Sequence, residues 1–423
     1  MELPIEQLDR HGRGLGAYGD LIVICDGALP GDIVNVTQYK QRRQLLFAQA
    51  YRIVHAAEAR VPPLCRYFGE CGGCQLQHAR YDAQLAYKES RLKQSLQHFG
   101  GVSPTHWLPT LSDSPFHYRR RANLGVRVLN NDEIIIGFQG KDRSYLLDIQ
   151  VCPVLDPRLH MLLGPLHTLV AKLSVRHHLT QIDMSSGELE VAVVFHNLLT
   201  LSDNDRALLR DFSELHEVLV FTQVGGPDSV QALTTAQAAT LQYSFPGHQI
   251  RITYAATDLI EVNAQINQML VDQVMAQLDV QAHDIVLDLF CGIGNFSLPL
   301  ARYVRAVIGI DDQPVLVERA RTNAEHNGMR NVQFQLTDIA HWSPDIKYSK
   351  LLLTPRRAGA IDVIKRLPID TADTIVYVSC EPKTLARDVD YLVHHSGYTL
   401  TKAGVVDMVP QTNQIDAIAV LQR

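Results

Sequence analysis

From residue 256 onward, short apolar runs alternate with stretches of helical periodicity. The runs are DIVLDLF, AVIGID, VQFQLT, KLLLTP and TIVYVSC. A strand that is apolar on both faces must be covered on both faces, and helices inserted between such strands supply that cover. The pattern therefore predicts a Rossmann-like α/β domain over 256–423, built on a parallel sheet. The last stretch, YTLTKAGVVDMVPQTNQIDAIAVLQ, reads as two strands and a turn, an antiparallel edge. A chain of 423 residues has room for two or three such cores. Residues 1–57 carry short β-rich runs broken by the glycine turns YGD and DGALPGD, which predicts a small β-barrel. Residues 58–255 read as a mixed, β-rich central domain, with helices over YDAQLAYKESRLKQSLQHF and near 156–175 and 202–214.

The most informative turn in the α/β part is VLDLFCGIGNFSLPLA, residues 286–301. It is a strand, a glycine turn and a helix. Gly292 and Gly294 let a ligand approach the backbone closely. Asp288 sits near the strand end, and Phe290 and Asn295 crowd the same turn. A second strand ends at Asp311, where a carboxylate can accept both hydroxyls of a ribose. A third ends at Asp338, within reach of an adenine edge. A nicotinamide site prefers G-x-G-x-x-G. D-x-F-C-G-x-G-N-F instead resembles the S-adenosylmethionine loop of Rossmann-like methyltransferases. The bland alternative is a tight turn with no ligand.

Three of the seven cysteines fall within CRYFGECGGC, residues 65–74. Disulfides, zinc and an iron–sulfur centre all use such a cluster. MELPIEQLDRHGRGLG lacks the apolar core of a secretory signal, and no run of 18 apolar residues occurs. A cytoplasmic protein with no membrane span is expected, and a reducing compartment disfavours disulfides. The chain carries a net charge of −6, yet residues 65–130 hold nine Lys/Arg against four Asp/Glu. That local excess predicts a basic face for nucleic acid, with a solvated helix around Lys88–Lys93 as the plain alternative.

Cys380 ends the last parallel strand, the edge where open α/β sheets bind ligands. Alone, a strand-end cysteine is more often a small buried apolar residue. Its setting, SCEPKTLARD, closely resembles S-C-N-P-x-T-x-A-R-D, the catalytic motif of the RNA uracil-5-methyltransferase family. The resemblance covers almost the whole chain. GRGLGAYGD and GALPGD are similar to the family's TRAM barrel, CRYFGECGGCQLQH to its iron–sulfur loop, and VCPVLDP to the segment holding the fourth cysteine. VNAQIN and NAEHNGMRNVQF are similar to its methyltransferase core.

The resemblance implies an enzyme that uses S-adenosylmethionine to methylate carbon 5 of a uridine. Cys380 would be the nucleophile at carbon 6 and Asp416 the base. Glu261, Phe290, Gly292, Gly294, Asn295, Asp311, Asp338 and Thr354 would line the cofactor site. Cys65, Cys71, Cys74 and Cys152 would hold a [4Fe–4S] cluster, for which four thiolates are the usual count. Zinc, which usually takes two close ligand pairs, is the runner-up, since only Cys71 and Cys74 form a C-x-x-C. A barrel with four such cysteines points to the branch that acts on 23S ribosomal RNA; nothing in the sequence demands more than a monomer. A tRNA-modifying relative and an RNA- and cofactor-binding protein without turnover are the alternatives. Arg42 and Arg43, and the run Arg119–Arg121, are expected to grip phosphates.

The chain departs from the family pattern around the substrate. D-P-P-R becomes Thr354-Pro355-Arg356-Arg357, F-Q-V-N becomes Ile260-Glu261-Val262-Asn263, and the C-terminal His and Glu become Gln414 and Asp416.

Overall fold

The computed structural model describes residues 2–226, 229–234, 240–344, 346–368 and 370–423. The five apolar runs form five parallel strands in the order Val332–Leu336, Ala306–Asp311, Ile285–Leu289, Lys350–Leu353, Thr374–Ser379. Successive side chains of a strand face opposite ways. Val286, Leu352 and Val376 accordingly enter one apolar core, and Leu287, Leu351 and Ile375 enter the other. The strand order reverses between Ile285–Leu289 and Lys350–Leu353, which opens the crevice where such sheets bind ligands.

The two C-terminal strands are present as expected. Asp416–Gln422 inserts antiparallel between Thr374–Ser379 and Thr399–Val406. The outermost strand, however, is His106–Trp107, paired parallel to Thr399–Val406.

Two more elements from before residue 256 join this unit. The hairpin Leu241–Phe245/Ile250–Tyr254 buries Tyr243, Ile252 and Tyr254 in the same core as Val286. Helix Tyr81–Gly100 lies against helix Pro382–His394, with Leu92 and Leu96 in the core on the other face. The contact is close enough to require Gly100, because a Cβ there would stand 2.7 Å from the Ala386 carbonyl oxygen. The helix stops at Gly101, a left-handed cap with φ +58°.

The central sheet has seven strands, from Leu146–Asp148 at one edge to Val230–Ala232 at the other. Helices Leu163–Lys172 and Asp203–His216 cover one face with Leu166, Val170, Leu209 and Phe212. The second helix begins with a capping box between Ser202 and Asp205.

At the N-terminus six strands form one sheet whose two outermost members, Glu2–Pro4 and Gln7–Leu8, are consecutive in the chain. The sheet must therefore curl on itself, as a small barrel does. Among the described residues, no helix is long and apolar enough to cross a membrane.

Candidate active site

The glycine turn departs from its strand through Phe290, a non-glycine residue at φ +66°, followed by Gly292 at +55° and Gly294 at +90°. A left-handed phenylalanine persists only where its surroundings hold it. Here the Phe290 N–H donates to the Ile310 carbonyl (2.8 Å), and the Phe290 carbonyl accepts from the Thr354 hydroxyl (2.9 Å). Thr354 thus braces the turn from the neighbouring strand. Asp311 reaches the same turn and accepts from the N–H groups of Gly292 and Gln313, both at 3.0 Å. Each of its oxygens keeps a further lone pair. Asp288 is fully buried and accepts from the Ser297 hydroxyl, and burial pushes its carboxyl up to about 7.

Two residues with expected cofactor roles have other partners. The Asn295 amide exchanges hydrogen bonds with Asn267 (3.0 Å each way) and accepts from the Tyr243 hydroxyl (2.7 Å). It ties the turn to helix Ala264–Leu278 and to the hairpin. Asp338 is exposed, caps a short turn through the Ala340 N–H and pairs with His341 at 2.7 Å.

Cys380 sits in a strand–turn–helix step, between Thr374–Ser379 and Pro382–His394, where Pro382 starts the helix. Two carboxyl groups face it from other elements. Asp416 opens strand Asp416–Gln422. Glu261 lies just before Asn263, which caps helix Ala264–Leu278 through the Ile266 N–H (3.1 Å). All three groups are raised. The Cys380 thiol is pushed up to about 11 by burial and then by Asp416 and Glu261, against Arg357. Asp416 is pushed up to about 8 by burial and then by Glu261, against Lys88 and Arg357. Burial raises Glu261 too, opposed by Arg120. Shifted acids gathered at the carboxyl ends of strands are what a proton-transfer site needs.

Cys380 and Arg357 line a cavity of ≈ 1350 Å³, above the ordinary range for small-molecule pockets. Arg10 and Arg13 of the barrel, Arg143 of the central part and Lys383, three residues after Cys380, line it. All four expected cluster cysteines line it as well, and all are free thiols. Burial pushes Cys74 up to about 11 and Cys152 up to about 12, and each also feels the other cysteines. Among the described residues no three His, Cys, Asp or Glu converge as ligands of a single metal ion.

Two of the three arginines in the run are not placed to grip phosphates. Arg120 and Arg121 are buried. Arg120 donates to the Glu261 carbonyl (2.7 Å) and lies 4.5 Å from the Tyr243 ring centre, while Arg121 donates to the Asp258 carbonyl (2.7 Å). They bolt the central sheet to the α/β unit, and only Arg119 of the three lines the cavity.

Lys88 is the residue that sequence reasoning missed. It is completely buried in an ion pair with Asp407 (2.5 Å) and also donates to the Val409 carbonyl (3.1 Å). Its spacing with Gln84, Leu92 and Leu96, all on the buried face of the helix, was the available signal.

The strand order and the glycine turn define a Rossmann-like methyltransferase fold. The tRNA (uracil-54, C5)-methyltransferase of Pyrococcus abyssi, solved with S-adenosyl-L-homocysteine, shares this fold over 100% of both chains, with a TM-score of 0.77 at 24% identity. The model of the tRNA (uracil-5-)-methyltransferase family matches residues 80–347. Two curated relatives carry the name 23S rRNA (uracil(1939)-C(5))-methyltransferase RlmD. That of Aromatoleum aromaticum is 39% identical over 99% of this chain and 99% of its own, and that of Alkalilimnicola ehrlichii 38% over 100% and 96%. The chain belongs to the uracil-5-methyltransferase family.

Proposed function

We propose that the protein methylates carbon 5 of a uridine in 23S ribosomal RNA, in the cytoplasm and as a monomer, through a covalent adduct on Cys380. The observation that carries this reading is Cys380, with Asp416 and Glu261 acting on it, on the wall of a cavity larger than small-molecule pockets usually are. The choice of 23S RNA rests on the names of the full-length relatives.

Carbon 5 of uracil is a poor nucleophile. Cys380 gives up its proton to solvent, and addition of the thiolate to carbon 6 moves the ring electrons toward carbon 5 as an enolate. S-adenosylmethionine, when bound, supplies the methyl group that carbon 5 takes up. Asp416 then accepts the carbon-5 proton, the carbon 5–carbon 6 double bond re-forms, and the sulfur leaves as thiolate. Arg357 opposes the acidic groups around Cys380 and so favours the thiolate. The uridine must leave its stack to reach these groups. Glu261 stands beside them as the pocket's second carboxyl.

Phe290, Gly292 and Gly294 shape the cofactor site, Asp311 accepts the ribose hydroxyls, and Asp338 borders the adenine. Asn295 and Thr354 act by bracing the turn. Asp311→Ala is expected to weaken S-adenosylmethionine binding about tenfold or more, since hydrogen bonds to a charged acceptor are worth roughly 1.5–3 kcal/mol each. Calorimetry checks this.

Asp416 must be ionised to take a proton. Its folded value of about 8, with the Cys380 thiol at about 11, predicts turnover that climbs with pH through 8 and goes on rising toward 11. The same shift has a stability sign. The folded state holds a proton that the unfolded chain releases near its ordinary carboxyl value, so Asp416 costs stability as pH rises from that value toward 8. Asp416→Asn should therefore melt higher than wild type at pH 8 while losing turnover.

Cys65, Cys71, Cys74 and Cys152 suit a [4Fe–4S] cluster. Each thiolate of such a cluster binds a different iron, so the four need not converge on one point, and here they share a cavity wall without disulfides. The cluster, when bound, cross-links the loop to the central part. Anaerobically purified protein should contain about four irons and about four sulfides per chain. Stoichiometric zinc without iron would contradict the assignment.

The function is tested by nucleoside analysis of ribosomal RNA from cells with and without the protein. 5-Methyluridine should be lost from 23S RNA when the protein is absent. An unchanged nucleoside profile there, with loss in tRNA, would transfer the assignment to tRNA.

A further inference from the structure

The base Asp416 is delivered by an unusual loop. Residues 407–415 connect the antiparallel strands Thr399–Val406 and Asp416–Gln422, and the hairpin closes at the pair Val406↔Asp416. Most such connections run over the surface. This one is buried at Asp407, Met408, Val409, Gln411 and Thr412. Gln411, moreover, stands at φ +68°, in the left-handed region that a non-glycine side chain resists.

The strained residue is held on every side. Its N–H donates to the Gln84 side-chain oxygen (3.1 Å), and its own side-chain oxygen accepts from the Gln84 amide (3.0 Å). Its carbonyl accepts from the N–H groups of Gln75 and Leu76, both at 3.0 Å. Gln75 and Leu76 directly follow Cys74, so the backbone of the cysteine loop forms one jaw and helix Tyr81–Gly100 the other. Beyond Gln411 the turn stays fixed. The Thr412 hydroxyl donates to the Val409 carbonyl (2.7 Å) and accepts from the Gln414 N–H (3.2 Å).

We propose that Gln84 and the left-handed Gln411 form a positioning clamp that sets where Asp416 meets the substrate. The proposal rests on the reading of Asp416 as the base. Local strain survives only where the surroundings over-determine it, and it gathers at functional sites. Here the strained residue stands five positions before the base, and the turn between them is itself hydrogen-bonded. Reactive geometry tolerates little error, since a displacement of about 1 Å can cost about 100-fold in rate. Neither Gln84 nor Gln411 lines the cavity, and the step the clamp serves is the removal of the carbon-5 proton.

Gln84→Ala opens the clamp. Its expected signature is a fall in turnover of about tenfold or more, together with accumulation of a denaturant-resistant adduct between Cys380 and ordinary uridine RNA. The affinity for S-adenosylmethionine should stay within about twofold of wild type. A role confined to stability would lower yield and melting temperature without trapping an adduct. Position 411 gives a second test that does not depend on Gln84. Gln411→Gly adopts the left-handed turn without strain and should keep most turnover. Gln411→Ala has the strain and lacks the amide, and should trap the adduct.

Asp416→Ala is the control. If it traps no adduct, the assignment of the base fails, whatever Gln84 does. If Asp416→Ala traps the adduct but Gln84→Ala turns over like wild type, the clamp is refuted and the base stands. Equal adduct levels in Gln411→Gly and Gln411→Ala likewise overturn the clamp.

Discussion

Cys380→Ala is expected to lower methyl transfer by on the order of 10³-fold or more, because covalent activation of carbon 6 is then unavailable. The affinity for S-adenosylmethionine should hardly change. Cys380 follows strand Thr374–Ser379, whereas the glycine turn and Asp311 follow Ile285–Leu289 and Ala306–Asp311, two and three places away in the sheet. Single-turnover methylation of a uridine-containing RNA, paired with calorimetry of the cofactor, separates the two effects. Loss of both together would mean that the substitution disturbs the fold and does not report on the nucleophile.

The second large effect is on stability. Lys88→Met leaves Asp407 fully buried beside an apolar side chain, with the Tyr81 hydroxyl (2.7 Å) as its remaining partner. Removing one member of a buried pair typically costs about 3–5 kcal/mol, because the other charge remains desolvated. Urea unfolding of the variant should show a loss of that order. Combining Lys88→Met with Asp407→Leu should recover much of it, since no buried charge is then left unpaired. If the single variant is as stable as wild type, the pair is not the anchor that the geometry describes.

Much of the molecule could be read from the chain. The parallel strands announced themselves because a strand buried on both faces has to be apolar throughout. The glycine turn was legible because close backbone approach and positive φ restrict residue choice so strongly. Cys380 stood out only through its neighbours, and Asp416 only through the motif around it.

What escaped the reading depends on partners far away in sequence. Lys88 looks like any solvated lysine until Asp407, 319 residues on, is brought beside it. Arg120 and Arg121 read as a basic patch because charge is visible in a sequence and burial is not. Their partners are backbone carbonyls of residues 258 and 261, which leave no trace in side-chain identity. Asn295 shows the same ambiguity. An amide in a glycine turn can bind a ligand, brace the turn or do both, and its bonds to Asn267 and Tyr243 cannot be read from the sequence. The hairpin 241–254 has the alternation of a half-buried sheet, and that pattern does not say which of two cores it joins.

The central claim is that Cys380 attacks carbon 6 of a uridine in RNA. Its most direct test uses RNA carrying 5-fluorouridine at the target. Fluorine cannot leave as a cation, so Asp416 has no proton to remove and the methylated adduct persists. Incubation with S-adenosylmethionine, followed by proteolysis and mass spectrometry, should find a methylated fluorouridine attached to the peptide containing Cys380, and none in Cys380→Ala. A verified RNA substrate that is bound with cofactor present, yet yields no adduct at Cys380, would contradict the account.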